Sequence, residues 1–201
     1  MGNKVSEEDM RFSMVKVRHR ESFEKALGEG KVDKQLQGLC KFIAKTRDYF
    51  TSSGCAGRIL LLGIPEGGGK KETYFHEKWH RKVSFNEIWK GIEKQSKGEL
   101  WFKMEPFILH IGCKGLKDSK KILSLMKSIG IKRGGIMVAK EGKFIVEFTG
   151  TQQIALPVKK GGKILIDREY MGFLLDEGNR KLAKNYLQLK TLEKECKKVL
   201  K

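Results

Sequence analysis

Apolar positions along the chain change period several times, and each change marks an element. Phe12, Val15, Phe23 and Leu27 recur among charged residues at helical spacing, which predicts one or two helices between Ser6 and Gly28, stopped by Gly28 and Gly30. Asp33 reads as the N-cap of a short amphipathic helix that gathers Leu36, Leu39, Cys40 and Ile43 on one face. Residues 59–64 are almost wholly apolar, the mark of a buried central strand, and the glycine-rich stretch 65–71 is a hairpin loop. Phe85, Ile88, Trp89 and Ile92 return to helical spacing. Leu100, Phe102 and Met104 then alternate with polar neighbours, and Pro106 separates that strand from a second apolar run over 107–111.

A helix over 119–130 turns Ile122, Leu123, Leu125, Met126 and Ile129 inward, and short strands follow at 134–138, 144–148, 154–156 and 164–166. The chain closes with a helix over 168–201, striped by Tyr170, Phe173, Leu174, Leu182, Tyr186, Leu189 and Leu192 and interrupted near Gly178. Helices and hairpins in this order give an α+β fold: a single domain, 1–201, with a mixed, mostly antiparallel sheet packed by helices. Regular βαβ alternation is missing, and no Gly-x-Gly-x-x-Gly follows a first strand, so this is not a Rossmann fold.

Charge sharpens the picture. With 42 Lys and Arg against 24 Asp and Glu, a formal net charge of +18 points to a polyanionic partner, and RNA fits it best. The competing explanation is a lysine-rich set of solvated helix faces. Cys40, Cys55, Cys113 and Cys196 are scattered without a Cys-x-x-Cys pair, so neither a disulfide framework nor a zinc ribbon is indicated, and no metal is expected. No apolar run reaches the roughly 20 residues of a membrane span. A cytoplasmic location without membrane attachment is the expectation.

The chemistry concentrates in residues 49–58. Thr51, Ser52 and Ser53 bring hydroxyls, Gly54 and Gly57 let a ligand approach the main chain, and Arg58 supplies a planar cation suited to a carboxylate or phosphate. We read this stretch as a loop leading into the buried strand. Cys55 is either a contact or a small buried hydrophobe. Two other motifs fail on inspection: the Gly-Lys at 69–70 lacks the spacing of a phosphate-binding loop, and the His-Glu-x-x-His at 76–80 follows a glycine loop where a strand, not the required helix, is expected. His110, alone within an apolar strand, is either a satisfied core residue or a base.

Tyr49-Phe50-Thr51-Ser52-Ser53-Gly54-Cys55-Ala56-Gly57-Arg58-Ile59 resembles the signature of the wybutosine-synthesising methyltransferases, roughly Tyr-Phe-Thr-Thr-Ser-Ser-Cys-Ser/Ala-Gly-Arg-Ile. Lys31-Val32-Asp33, His80, Glu105-Pro106-Phe107-Ile108-Leu109-His110, Leu156-Pro157 and Glu169-Tyr170-Met171-Gly172-Phe173 follow in that family's order, so the likeness spans nearly the whole chain. Gly54 stands where the family has Ser. The resemblance implies transfer of a methyl group from S-adenosylmethionine to N4 of 7-(3-amino-3-carboxypropyl)-4-demethylwyosine at position 37, in the anticodon loop of phenylalanine tRNA. It implies His110, His80 and Asp33 as catalytic residues, and Ser53, Cys55, Gly57 and Arg58 around the cofactor. A non-catalytic RNA-binding module is the alternative from another functional class.

Overall fold

The computed structural model describes residues 6–69 and 71–200; Lys70 and Lys201, placed above in a hairpin loop and in the last helix, lie outside them. In chain order the elements are α1 (Glu7–Gly28), α2 (Lys34–Lys45), β1 (Tyr49–Cys55), β2 (Arg58–Ile64), β3 (Tyr74–Trp79), α3 (Phe85–Glu93), β4 (Glu99–Glu105), β5 (Ile108–Cys113), α4 (Leu116–Ser128), β6 (Arg133–Lys140), β7 (Lys143–Thr149), β8 (Ile154–Lys160), β9 (Lys163–Ile164) and α5 (Arg168–Val199). Contacts gather them into two compact units: Met1–Ala56 with Phe107–Thr151 and Tyr186–Lys201, and Gly57–Pro106 with Gln152–Asn185.

The first unit holds a four-stranded sheet in the order β1-β5-β7-β6. Its core joins Leu36, Leu39 and Ile43 of α2 to Leu109, Ile111 and Phe148 of the sheet, all essentially without exposed surface. Burial of such side chains contributes about 1.5–3 kcal/mol apiece. α1 is one unbroken helix. The Ser6 hydroxyl accepts a hydrogen bond from the Asp9 amide (3.1 Å), and Glu7, Glu8 and Asp9 place negative charge at the positive end of the helix dipole.

The second unit holds a five-stranded sheet in the order β3-β2-β4-β8-β9. Ile59, Leu61, Phe102 and Met104 form its buried face. α3 lies on that face where Gly91 meets Leu61, and α5 where Gly178 meets Phe102 and Ile59. Gly178 therefore does not interrupt α5, which runs continuously from Arg168 to Val199. The missing side chain leaves room for the Phe102 ring, and tertiary packing outweighs the helix-breaking tendency of glycine.

The α+β class and the antiparallel pairing match the expectation, with the strands divided between two sheets. A second reading is corrected. Residues 49–55, read as a loop, are strand β1: Tyr49, Phe50 and Thr51 are strong strand formers and are buried against β5. Asp33 stands at the N-cap position of α2, yet its side chain makes no capping bond.

His19 of α1 stacks on Phe50 (ring centroids 4.6 Å apart). Burial, then the cations of Lys143 and Arg18, hold its imidazole below the usual value. Between that lowered value and about 6.5 the unfolded chain binds more protons than the folded one. Its contribution is therefore complete above about pH 6.5 and lost as pH falls. His19→Gln should flatten the acid limb of a melting-temperature profile below about pH 6.5. An unchanged slope would show that His19 does not titrate against the fold.

Candidate functional site

A bulge in β1 aims the candidate hydroxyl. Thr51 pairs with Ile111 and Ser53 with His110, so Ser52 is the extra residue; bulges of this kind redirect a side chain. One strand further on, His110 pairs with Glu147. Ser53, His110 and Glu147 thus stand in a row across three adjacent strands of the first unit. Ser53 Oγ lies 2.8 Å from His110 Nδ1, and His110 Nε2 lies 2.9 Å from Glu147 Oε2. A carboxylate accepts, so His110 donates from Nε2; in the neutral imidazole Nδ1 is then the acceptor for Ser53 Oγ–H. His110 thus bridges a hydroxyl and a carboxylate instead of being sealed in the core, with about a quarter of its side chain exposed.

The sequence reading missed Glu147. Its signal was an acidic residue between Val146 and Phe148, inside a strand read as short and otherwise apolar over 144–148. Only the β5–β7 register converts that signal into a partner for His110.

Asp33 holds the end of the signature. Its Oδ2 accepts from the Ala56 amide at 2.7 Å, which ties the turn after Cys55 to the start of α2. Tyr186, read only as part of a buried stripe, belongs to this neighbourhood: burial, then the charges of Asp33 and Cys55, push its phenol up to about 12. The other thiols are inert by environment, since burial raises Cys40, Cys113 and Cys196 each to about 12, whereas Cys55 is half-buried. A cavity of about 330 Å³ opens beside β1, lined by His19, Phe23, Lys31, Leu36, Cys40 and Ser53 among others. That is the lower end of the range for small-molecule sites.

After Ala56 the chain enters the second unit. Gly57 adopts a left-handed φ of 93°, a conformation that disfavours side chains. Arg58 already holds a carboxylate there. Its Nε and Nη2 both donate to Glu105 Oε2 at 2.8 Å, and its guanidinium lies 4.7 Å from the Phe75 ring centre. Burial works to raise the Glu105 carboxyl, but hydrogen bonds from Lys103 and Arg58 outweigh it and hold it below the usual carboxylate range. His80 follows the end of β3 in this unit. His76 sits on β3 and bonds the Gly91 carbonyl (3.0 Å), so the two imidazoles of the His-Glu-x-x-His motif are not one helical turn apart.

The chain is 32% identical over 188 residues to a Thermococcus kodakarensis protein named tRNA(Phe) 7-((3-amino-3-carboxypropyl)-4-demethylwyosine(37)-N(4))-methyltransferase 1, covering 94% of this chain and 95% of that one. It is 30% identical over 171 residues to a Danio rerio protein named tRNA wybutosine-synthesizing protein 3 homolog, covering 84% and 67%. A solved structure from Pyrococcus horikoshii superimposes with a TM-score of 0.87 at 34% identity, covering 92% of this chain and 95% of that one. The family model described as Methyltransferase TYW3 matches residues 12–198, and the chain belongs to that family.

Proposed function

We propose that this methyltransferase acts on N4 of 7-(3-amino-3-carboxypropyl)-4-demethylwyosine at position 37 of phenylalanine tRNA, with S-adenosylmethionine as donor. Relatives named for that reaction over nearly their whole length support the reading. The observation that carries it to particular atoms is the Ser53–His110–Glu147 row. Methylating a ring nitrogen releases a proton, and the row is built to take one. Ser53 Oγ accepts the proton from N4 while passing its own to His110 Nδ1, and Glu147 stabilises the resulting imidazolium.

The residues beside β1 suit the donor: a small-molecule-sized cavity lined by hydroxyls, by Lys31 and by the apolar Phe23 and Leu36. Bound S-adenosylmethionine supplies a methyl group on a sulfonium, ready for direct displacement. In the first unit Ser53 and Cys55 are assigned to the donor; in the second, where the resemblance adds Gly57, Arg58, oriented by Glu105, offers its guanidinium to a carboxylate. Asp33 fixes the turn on which Cys55 and Ala56 lie. His80 is kept as a second proton acceptor on the strength of the resemblance. Holding the reacting groups in line contributes most, since orientation can supply about 7–11 kcal/mol. A base in the anticodon loop is accessible to such a site because loop nucleotides can be turned outward at small cost.

The test is methyl transfer from labelled S-adenosylmethionine to phenylalanine tRNA carrying the unmethylated precursor, with mass spectrometry of the nucleoside. One added methyl on the precursor base is expected; a folded protein that leaves it unchanged overturns the assignment. Arg58→Ala should raise KM about tenfold or more through loss of a charged hydrogen bond, with a smaller effect on kcat. An unchanged KM would remove Arg58 from the binding set.

A further inference from the structure

The outer face of the five-stranded sheet has a composition that a solvated surface does not require. Within the same unit, α3 and the part of α5 around Gly178 pack on its inner face, against Leu61, Phe102 and Ile59. On the outer face, strand register lines up two cross-strand rows. One runs Phe75, Leu62, Trp101, Pro157 across β3, β2, β4 and β8; the next runs Lys78, Leu60, Lys103, Ala155. A bulge in β3 at His76 puts Phe75 and Lys78 on one face although they are three residues apart, and the Lys78 ammonium lies 5.0 Å from the Phe75 ring centre.

Phe75 is half exposed (49%) on the edge strand β3, a position where an apolar ring is a liability unless something covers it. Trp101 is partly exposed, and its indole is held in place by donation to Glu99 Oε2 at 3.0 Å. Arg58, Lys78, Lys103 and Lys160 lie on this face against Glu99 and Glu105, four cations to two carboxylates. An aromatic row beside a cationic row matches single-stranded RNA, whose bases stack on rings while its phosphates meet the cations. At 4.7–4.9 Å per strand interval, the four-residue row spans about 14 Å, comparable to RNA-binding sheets whose aromatics stack two or three bases.

We propose that the outer face of the β3-β2-β4-β8 sheet is a docking surface for single-stranded nucleotides of the tRNA, with Phe75 and Trp101 as stacking platforms and Lys78 and Lys103 as phosphate contacts. It rests on the reading that tRNA is the substrate. The surface lies outside the Ser53–His110–Glu147 row, so it acts on substrate affinity.

The test is a titration of phenylalanine tRNA by fluorescence anisotropy against the wild-type chain, Phe75→Ala, Trp101→Ala and Lys78→Gln. Phe173→Ala serves as a control because that ring is more exposed still (65%) on α5. Loss of one stacking platform raises Kd about 5- to 100-fold. Lys78→Gln weakens binding and flattens its dependence on log salt by about one unit of slope. Phe173→Ala leaves Kd unchanged. If Trp101→Ala melts early, Phe75→Ala and Lys78→Gln decide, since both side chains stand on the surface. Unchanged Kd in both overturns the surface while wild-type binding and methylation leave the tRNA reading intact; absence of wild-type tRNA binding and methylation fails that reading instead. A dimer of the wild type that Phe75→Ala dissociates, with tRNA affinity untouched, assigns the face to a second copy and overturns the proposal.

Discussion

His110→Ala lowers the single-turnover rate of methyl transfer about 100- to 10,000-fold, the range for removal of a general base, and leaves the affinity for tRNA unchanged. Ser53→Ala falls in the same range if the hydroxyl relays the proton. The double variant then costs little more than either single one, because residues that act as a unit are not additive. Glu147→Gln keeps the shape but loses the charge that fixes the His110 tautomer. It reduces kcat about 100-fold with little change in KM, as expected for a misoriented group. Glu147→Asp keeps the charge on a side chain shorter by one methylene and should recover less than half of the loss on a logarithmic scale. The combination that would sink the relay is His110→Ala inactive with Ser53→Ala and Glu147→Gln fully active: His110 would then be the base by itself, and its two hydrogen bonds, 2.8 and 2.9 Å long, would be structural.

The sequence pattern made the helices legible, because a single apolar stripe such as Leu36, Leu39, Cys40 and Ile43 needs only local spacing to be recognised. It made the strands visible but not their partners. β1 pairs with β5, and Ser53 lies 57 residues from His110; such a register is set by tertiary burial and leaves no local trace. For that reason Ser53 and His110 could be named as candidates, whereas Glu147, the hydrogen-bond partner of His110 Nε2, could not. The same limit explains the signature itself. Its hydroxyls and glycines resemble turn chemistry, yet Tyr49, Phe50 and Thr51 are buried in the sheet and only Ala56 and Gly57 turn. Asp33 shows a competition resolved by position: it could have capped α2, but the Ala56 amide is the donor it meets.

Gly112→Val should be the most destabilising single substitution near the site, although Gly112 touches none of the proposed reacting groups. Gly112 lies on β5, opposite Phe50 of β1 on one side and Ile145 of β7 on the other. The Phe50 ring rests directly on it, so that any Cβ would overlap ring atoms. Phe50 cannot swing away, because it is 1% exposed and held by Phe12 (ring centroids 5.9 Å apart) and by the stacked His19. Nor can the backbone yield, since β5 is an interior strand bonded on both edges. One added methyl, as in Gly112→Ala, costs about 1–3 kcal/mol by overpacking. Valine adds two more carbons and exceeds that range. For a chain of this size each kcal/mol corresponds to about 2–4 °C, so the Tm should fall by roughly 6–12 °C for about 3 kcal/mol. Phe50→Leu combined with Gly112→Ala tests the cause: relief of the overlap gives a coupling of about 0.5–3 kcal/mol that restores part of the loss. Simple addition of the two effects, or a Gly112→Ala chain that melts with the wild type, would show that the ring does not rest on Gly112.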